Sequence, residues 1–163
     1  MTGLRSAAFF EGPLQNALHR LKYQRDVILA DSLARVLEQA WRSAALPEGI
    51  VMPVPLSARR LKERGYNQAG LLARGFAELA GLRYAPRGLR RTTHTVSQVG
   101  LSASERQVNV AGAFTGKPAV VSGQTVIVVD DVCTTGATLT ACAAALRAAG
   151  ATTVWALTLG RAR

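Results

Sequence analysis

The stretch Val126-Ile127-Val128-Val129-Asp130-Asp131-Val132-Cys133-Thr134-Thr135-Gly136-Ala137-Thr138 decides the fold of this chain. It opens with four β-branched residues, which is typical of a strand buried on both faces of a sheet. Two carboxylates follow, then hydroxyl side chains around a glycine. Beyond the loop, apolar residues recur with the spacing of one helix face, at Leu139, Cys142, Ala143 and Leu146. The stretch therefore predicts a strand, an acidic pair, a Thr/Gly loop and a helix.

The loop after the acidic pair has the chemistry of a phosphate site. In an open α/β sheet, ligands lie outside the carboxyl ends of the strands, and the backbone N–H groups of a helix N-terminus bind phosphate. Thr134, Thr135 and Thr138 add hydroxyl donors. A phosphate does not explain two carboxylates beside it, but sugar hydroxyls donate hydrogen bonds to carboxylates. A ribose 5-phosphate fits both halves, with its phosphate in the loop and its hydroxyls on Asp130 and Asp131.

The thirteen residues of this stretch resemble, at every position, the phosphoribosyl pyrophosphate (PRPP) signature of type I phosphoribosyltransferases. A Walker A loop is excluded, because no Gly-Lys-Ser/Thr follows the glycine. The alternative is a plain strand–turn–helix with two solvated aspartates, but adjacent charges at the end of a buried strand are costly without a partner. The resemblance assigns binding of the 5-phosphate to six residues: Cys133, Thr134, Thr135, Gly136, Ala137 and Thr138.

Size and composition indicate one globular domain. The chain has 163 residues, of which 48% are hydrophobic, enough for a sizeable core. No apolar run is long enough to span a membrane, and the first ten residues lack the pattern of a signal peptide. Cys133 and Cys142 are the two cysteines, and their placement disfavours a disulfide framework or a zinc site. We therefore expect a reduced, cytoplasmic setting.

The net charge of +10 is unevenly distributed. Residues 57–91 hold nine basic and two acidic side chains, or +7 of the total. Such a field attracts polyanions, among them pyrophosphate, nucleotides and nucleic acid. The alternative is a set of solvated helix faces with no ligand.

Strand and helix patterns alternate along the chain, which favours an α/β fold with a Rossmann-like, mainly parallel sheet flanked by helices. We expect a single domain over residues 1–163, with a helical flank at 1–48 and a PRPP-binding core at 49–163. Within the core, the sequence predicts a short strand from residue 50, a basic loop over 56–66 and a helix over 67–79. The polar stretch 92–110 predicts a mobile loop.

Further segments resemble the ComF family, which comprises competence-associated and GntX-like phosphoribosyltransferase-like proteins. They are Leu21-Lys22-Tyr23, Val54-Pro55-Leu56, Arg64-Gly65-Tyr66-Asn67-Gln68, and the pattern Gln98, Leu101, Arg106, Asn109 and Ala113-Phe114. The resemblance covers roughly residues 9–160. It implies a role in DNA uptake during natural transformation, with single-stranded DNA, competence-machinery proteins and a second copy of the chain as partners.

The chain departs from the family pattern at two points. Many members begin with a cysteine-rich zinc-binding segment, whereas no cysteine precedes Cys133 here, so this sequence does not support zinc: either that segment was lost or the start of the sequence is late. In the related 6-oxopurine salvage enzymes, the position of Thr134 is an aspartate that assists the base. The threonine therefore argues against oxopurine salvage, and the sequence names no other acceptor.

The resemblance also implies a mechanism, in which a nitrogen nucleophile displaces pyrophosphate from C1 of the ribose. Asp130 and Asp131 act as the catalytic pair, and Mg²⁺ is held through PRPP and water near them rather than by direct ligation. The turn after the Pro53-Val54-Pro55 strand end resembles a pyrophosphate loop, with backbone contacts and charges from Leu56, Ser57, Ala58, Arg59 and Arg60. Arg64 is a weaker candidate.

The 92–110 loop, with the arginines just before it, resembles the flexible hood that closes such sites against water. Its candidate ligand contacts are Arg91, His94 and Gln98. His94 contacts pyrophosphate or is simply exposed, and Arg106 and Asn109 anchor the hood.

Three functions remain open from the sequence. The first is phosphoribosyl transfer to an unidentified acceptor. The second is a nucleic-acid-binding competence factor, for which few stacking aromatics lie among the basic residues. The third is a PRPP-sensing regulator that keeps the site without turnover.

Overall fold

The structure, a computed structural model, describes residues 1–24, 26–92 and 112–162. Its elements in chain order are β1 (Gly3–Phe9), α1 (Gly12–Tyr23), α2 (Leu29–Ser43), β2 (Ile50–Pro53), α3 (Ala58–Arg64), α4 (Gln68–Ala80), β3 (Leu89–Arg91), β4 (Phe114–Gly116), α5 (Pro118–Val121), β5 (Thr125–Cys133), α6 (Ala137–Ala148) and β6 (Thr153–Arg161).

Four parallel strands form the central sheet in the order β1-β6-β5-β2. Because all four run in the same direction, their carboxyl ends lie along one edge, where ligands of such sheets bind. The central position of β5 places its acidic end in the middle of that edge. The predicted parallel sheet flanked by helices is confirmed.

The two faces of β5 enter different hydrophobic clusters, because successive side chains of a strand point to opposite faces. Val126 and Val128 pack in the cluster that contains α6 residues such as Leu146. Ile127 and Val129 pack in the cluster formed by α1, α2 and α4. Burial on both faces explains the uninterrupted β-branched run, as the sequence predicted.

The prediction of a purely helical flank over residues 1–48 is wrong at its start. Residues 3–9 form β1, which pairs with β6 in the central sheet from Gly3↔Trp155 to Phe9↔Arg161. The segment has no β-branched residue, so its strand conformation comes from pairing rather than from local propensity. α1 and α2 do form the helical remainder of this flank.

The predicted basic loop over residues 56–66 is also wrong, since α3 occupies its middle. The Ser57 hydroxyl caps α3 by accepting a hydrogen bond from the Arg60 backbone N–H at 3.3 Å, and Gly65 ends the helix in the left-handed conformation. No residue of α3 is buried. The helix therefore presents its basic side chains to solvent and to the edge of the sheet.

β3 and β4 form a separate antiparallel pair at the two ends of the predicted hood. The Thr92 backbone N–H donates to Ala113 O at 2.8 Å, so the hood begins and ends at one point. Arg91 lies in β3. His94, Gln98, Arg106 and Asn109 lie outside the described residues.

Candidate functional site

The Thr/Gly loop joins β5 to α6 as the sequence predicted. Gly136 is the N-cap of α6 with φ 77°, a left-handed conformation that a residue with a Cβ adopts only with strain. The Thr135 hydroxyl lies 3.4 Å from the Ala137 backbone N–H. All six residues predicted to bind the 5-phosphate line one small pocket of about 40 Å³, which Asp130 also lines. The first N–H groups of α6, a helix of 12 residues, have no intrahelical partners.

The two aspartates continue the alternation of β5. Asp130 follows Val126 and Val128 on the α6 side, and Asp131 follows Ile127 and Val129 on the side of α1 and α4. Each carboxylate accepts a hydrogen bond from the next backbone N–H, at 2.9 Å for Asp130 and 2.8 Å for Asp131. The pair is thus held rigidly, with one carboxylate toward the phosphate loop and the other toward the N-terminal helices.

Lys22, at the end of α1, meets the second carboxylate. Its Nζ lies 2.6 Å from Asp131 Oδ2, with side-chain exposures of 21% and 13%. Two contacts fix this end of α1: the Tyr66 hydroxyl donates to Leu21 O, and the Arg64 guanidinium lies 5.5 Å from the Tyr23 ring centroid. The N-terminal flank therefore contributes directly to the site.

A crevice of about 200 Å³ lies between the ends of β2 and β5. It adjoins the phosphate pocket, because Asp130, Val132 and Thr138 line both. Its charged lining consists of four cations and two carboxylates: Lys22, Arg60, Arg64, Arg91, Asp130 and Asp131. The site thus joins the pocket of the Thr/Gly loop, an acidic pair and a cationic wall, and these charges would suit a phosphorylated sugar with a second anionic group.

Burial and the neighbouring charge of Asp131 raise the pKa of Asp130 from 3.8 to about 7. Burial likewise raises the pKa of the Cys133 thiol, which keeps it protonated in the loop. A raised carboxyl pKa means that the empty site disfavours the charged form of Asp130. Ligand hydroxyls that donate to this carboxylate would restore that form.

The raised pKa of Asp130 predicts a pH-dependent stability. Between pH 3.8 and about pH 7, Asp130 is protonated in the folded protein but ionised in the unfolded chain. The stabilisation from this group is therefore full below pH 3.8, decreases as the pH rises, and is lost above about pH 7. Asp130→Asn should therefore raise the melting temperature at about pH 8 and flatten its change between about pH 5 and pH 8. Thermal denaturation of wild type, Asp130→Asn and the distant control Asp31→Asn measures this. A variant that stays as pH-dependent as wild type contradicts the assignment.

The residues predicted to bind pyrophosphate divide between two adjoining hollows. Arg60 and Leu56 line the crevice beside the acidic pair. Ser57, Ala58 and Arg59 instead line a second hollow of about 420 Å³, which shares Leu56 and Arg91 with the crevice. Arg59 pairs with Glu63 at 3.4 Å, and 84% of its side chain is exposed. Arg60 thus lies in the crevice, and Arg59 does not.

The structure adds residues that had no role assigned from the sequence. The Asn67 Nδ2 donates to Val54 O at 3.0 Å and so holds the turn that carries Leu56. The Asn67 Oδ1 and Gln68 Nε2 atoms are buried without hydrogen-bond partners in the described part of the chain. Asn67, Gln68 and Lys22 belong to segments that resemble the ComF family. This resemblance was the sequence signal that could have marked them as functional residues. Their meeting at one crevice depends on the tertiary fold.

In residues 1–24, 26–92 and 112–162, no three or more His, Cys, Asp or Glu side chains cluster as a metal site would require. No helix within these same ranges has the length and apolar character to cross a membrane.

Comparisons with known proteins agree with this geometry. The sequence profile of the family described as "phosphoribosyl transferase domain" matches residues 61–162, which include the acidic pair and the loop. The chain is 37% identical over 161 residues to the DNA utilization protein YhgH of Salmonella typhi, covering 94% of this chain and 70% of the relative. It is also 37% identical over 160 residues to Competence protein F of Haemophilus influenzae, covering 92% of this chain and 69% of the relative.

A solved structure of glutamine PRPP amidotransferase from B. subtilis, complexed with ADP and GMP, is similar over 78% of this chain. The TM-score is 0.54 and the sequence identity is 25%. The chain spans 25% of that enzyme's length. The shared part is therefore one portion of a larger protein.

Proposed function

The chain belongs to the phosphoribosyl transferase domain family, within its ComF-like group, and from this premise we propose that its crevice binds PRPP together with Mg²⁺. The observation that supports this most is the shared lining of the two cavities. The 5-phosphate pocket and the cationic crevice meet at Asp130, Val132 and Thr138. A ribose bridging them would place its hydroxyls on the acidic pair and its pyrophosphate against Arg60 and Arg64.

The donor set fits a Mg²⁺ that arrives with the ligand. Asp130 and Asp131 are two carboxylates without a third ligand nearby in the described ranges, and Mg²⁺ favours one or two carboxylates plus phosphate oxygens and waters. The two aspartates would hold the ion through ribose hydroxyls and water. When bound, the ion supplies positive charge to the leaving pyrophosphate.

In a transferase reaction, the residues of the crevice would stabilise the charges that develop on the ribose and on the leaving pyrophosphate. The bond between C1 of the ribose and the pyrophosphate oxygen breaks, and that oxygen takes the electron pair. A nucleophilic nitrogen of the acceptor forms the new bond at C1 and then loses its proton. Arg60 and Arg64 would stabilise the departing pyrophosphate, while the acidic pair orients the ribose beside a positively charged transition state. A regulator without turnover would use the same contacts but release no pyrophosphate.

We expect PRPP with Mg²⁺ to raise the melting temperature. At about 100 times the dissociation constant, a ligand adds about 2.7 kcal/mol, which corresponds to roughly 5–10 °C for a domain of this size. Differential scanning fluorimetry measures the shift, with ribose 5-phosphate as a partial ligand and ATP as a polyanion control. The proposal fails if neither PRPP nor ribose 5-phosphate shifts the transition, or if ATP shifts it equally.

A second candidate role, contact with single-stranded DNA, is favoured by one surface feature. Tyr23 is 63% exposed beside the basic helix α3, and the Arg64 guanidinium stacks against its ring. Exposed aromatics among cations bind single strands by stacking and charge. The name of one relative, DNA utilization protein YhgH, refers to DNA. Fluorescence anisotropy of a labelled oligonucleotide with wild type and Tyr23→Ala tests this role, and equal affinities would contradict it.

A further inference from the structure

We propose that Lys22 is the resident counter-ion of the acidic pair, and that it lets the crevice bind PRPP with little need for a divalent cation. This inference rests on the proposed function and deepens it. It assigns to the N-terminal helix α1 a ligand contact at the ribose and pyrophosphate end of the site.

The position of Lys22 is fixed from three sides. Its ammonium lies 2.6 Å from Asp131 Oδ2, on the sheet face that the alternation of β5 gives to α1. The carbonyl of Leu21, the preceding residue, accepts a hydrogen bond from the Tyr66 hydroxyl. The ring of Tyr23, the following residue, lies under the Arg64 guanidinium. A side chain held in this way is part of the empty site and does not need to be recruited by the ligand.

The charge of the crevice indicates that a divalent cation does not bind at the acidic pair before the ligand does. Four cations and two carboxylates line it, so the empty crevice carries a formal net charge of +2. A lone divalent cation is repelled by such a field, whereas a pyrophosphate is attracted. Lys22 already neutralises Asp131, which leaves the pair with about one negative charge to offset.

A lysine suits this position better than an arginine. Its ammonium is a compact point charge with three donors; one reaches Asp131 Oδ2, and two remain for a ribose hydroxyl and a pyrophosphate oxygen. A Mg²⁺ that binds with the ligand would supply positive charge of the same kind. The chain has three lysines among its 20 basic residues, and the other two, Lys62 and Lys117, are exposed. Lysine is thus rare here, and Lys22 alone of the three lines the crevice.

The test measures PRPP affinity by isothermal titration calorimetry in excess EDTA and in excess Mg²⁺. Wild type should lose no more than about tenfold in EDTA. Lys22→Met should bind about 30-fold more weakly than wild type in EDTA, the value of one charge-assisted contact, but only about threefold more weakly in Mg²⁺. Lys22→Arg should recover part of the loss in EDTA. The control Lys117→Met should match wild type in both buffers.

A second measurement needs no variant. In EDTA, PRPP should slow acetylation of Lys22 several-fold, read by peptide mass spectrometry, and leave Lys62 and Lys117 unchanged. The inference is overturned, while PRPP binding stands, if Lys22→Met loses PRPP affinity equally in the two buffers or in neither. It is also overturned if PRPP does not slow the acetylation of Lys22. If wild type binds PRPP only with Mg²⁺, the inference is also wrong. If wild type binds PRPP in neither buffer, the proposed function fails first, and the role of Lys22 fails with it.

Discussion

The double variant Asp130→Asn/Asp131→Asn is expected to lose PRPP affinity by at least about 100-fold, the value of two charge-assisted hydrogen bonds, and to remain folded. Asparagine keeps the shape of each side chain and its acceptor oxygen. It removes the negative charge that attracts the ribose hydroxyls and the ion carried by pyrophosphate. It also removes the buried, mutually repelling charges that raise the pKa of Asp130, which offsets part of the cost of leaving Lys22 without its Asp131 partner, so the domain should remain folded at neutral pH.

Calorimetry with PRPP and thermal denaturation without it separate these two effects. Asp31→Asn is the matched control, because Asp31 lies on α2 and does not line the crevice. Normal PRPP affinity in the double variant would remove the hydroxyl-binding role from the acidic pair. A cooperative thermal transition shows that a loss of affinity is not a loss of fold.

Arg60→Ala and Arg59→Ala, neighbours on one helix, should differ in their effect. Arg60 lines the crevice, whereas Arg59 pairs with Glu63 and is largely exposed. Arg60→Ala should lower PRPP affinity about 10- to 100-fold and leave ribose 5-phosphate affinity within about threefold, because in the proposed binding mode only the pyrophosphate contacts Arg60. Arg59→Ala should change both affinities by less than about threefold, as expected for an exposed charge.

The same pair of variants tests the basic helix as a DNA surface. If α3 contacts single-stranded DNA, each substitution should lower the salt dependence of binding by about one phosphate, since both side chains are exposed. Arg59→Ala would then separate DNA binding from PRPP binding. Equal losses of PRPP and ribose 5-phosphate affinity in Arg60→Ala would contradict its assignment to the leaving group.

The part of the site that the sequence predicted is continuous along the chain. The β-branched run, the acidic pair and the loop ending at Thr138 are consecutive, so local patterns were enough to predict the strand, the loop and the helix that follows it. The parallel sheet followed from the alternation of strands and helices. These features need no knowledge of how distant segments meet.

What the sequence missed depends on distant contacts or on weak local signals. The pairing of Lys22 with Asp131 joins two segments that only the packing of α1 on the sheet brings together. α3 has no buried residue, so it has no apolar period to detect, and its cap at Ser57 was the one local sign. The placement of Arg60 in the crevice and of Arg59 outside it could not be predicted from the sequence, because it depends on the orientation of α3.

The pairing of β1 with β6 has a consequence for synthesis of the protein. Ser6 Oγ and Thr158 Oγ1, 2.7 Å apart, are separated by 152 positions in the chain. On the ribosome, β1 emerges well before β6, because the segment between the two strands must be synthesised first. Its backbone donors and acceptors stay open to other chains throughout that interval, and pairing over so long a separation is slow. A stalled chain that contains β1 but lacks β6 therefore exposes an unpaired, aggregation-prone strand.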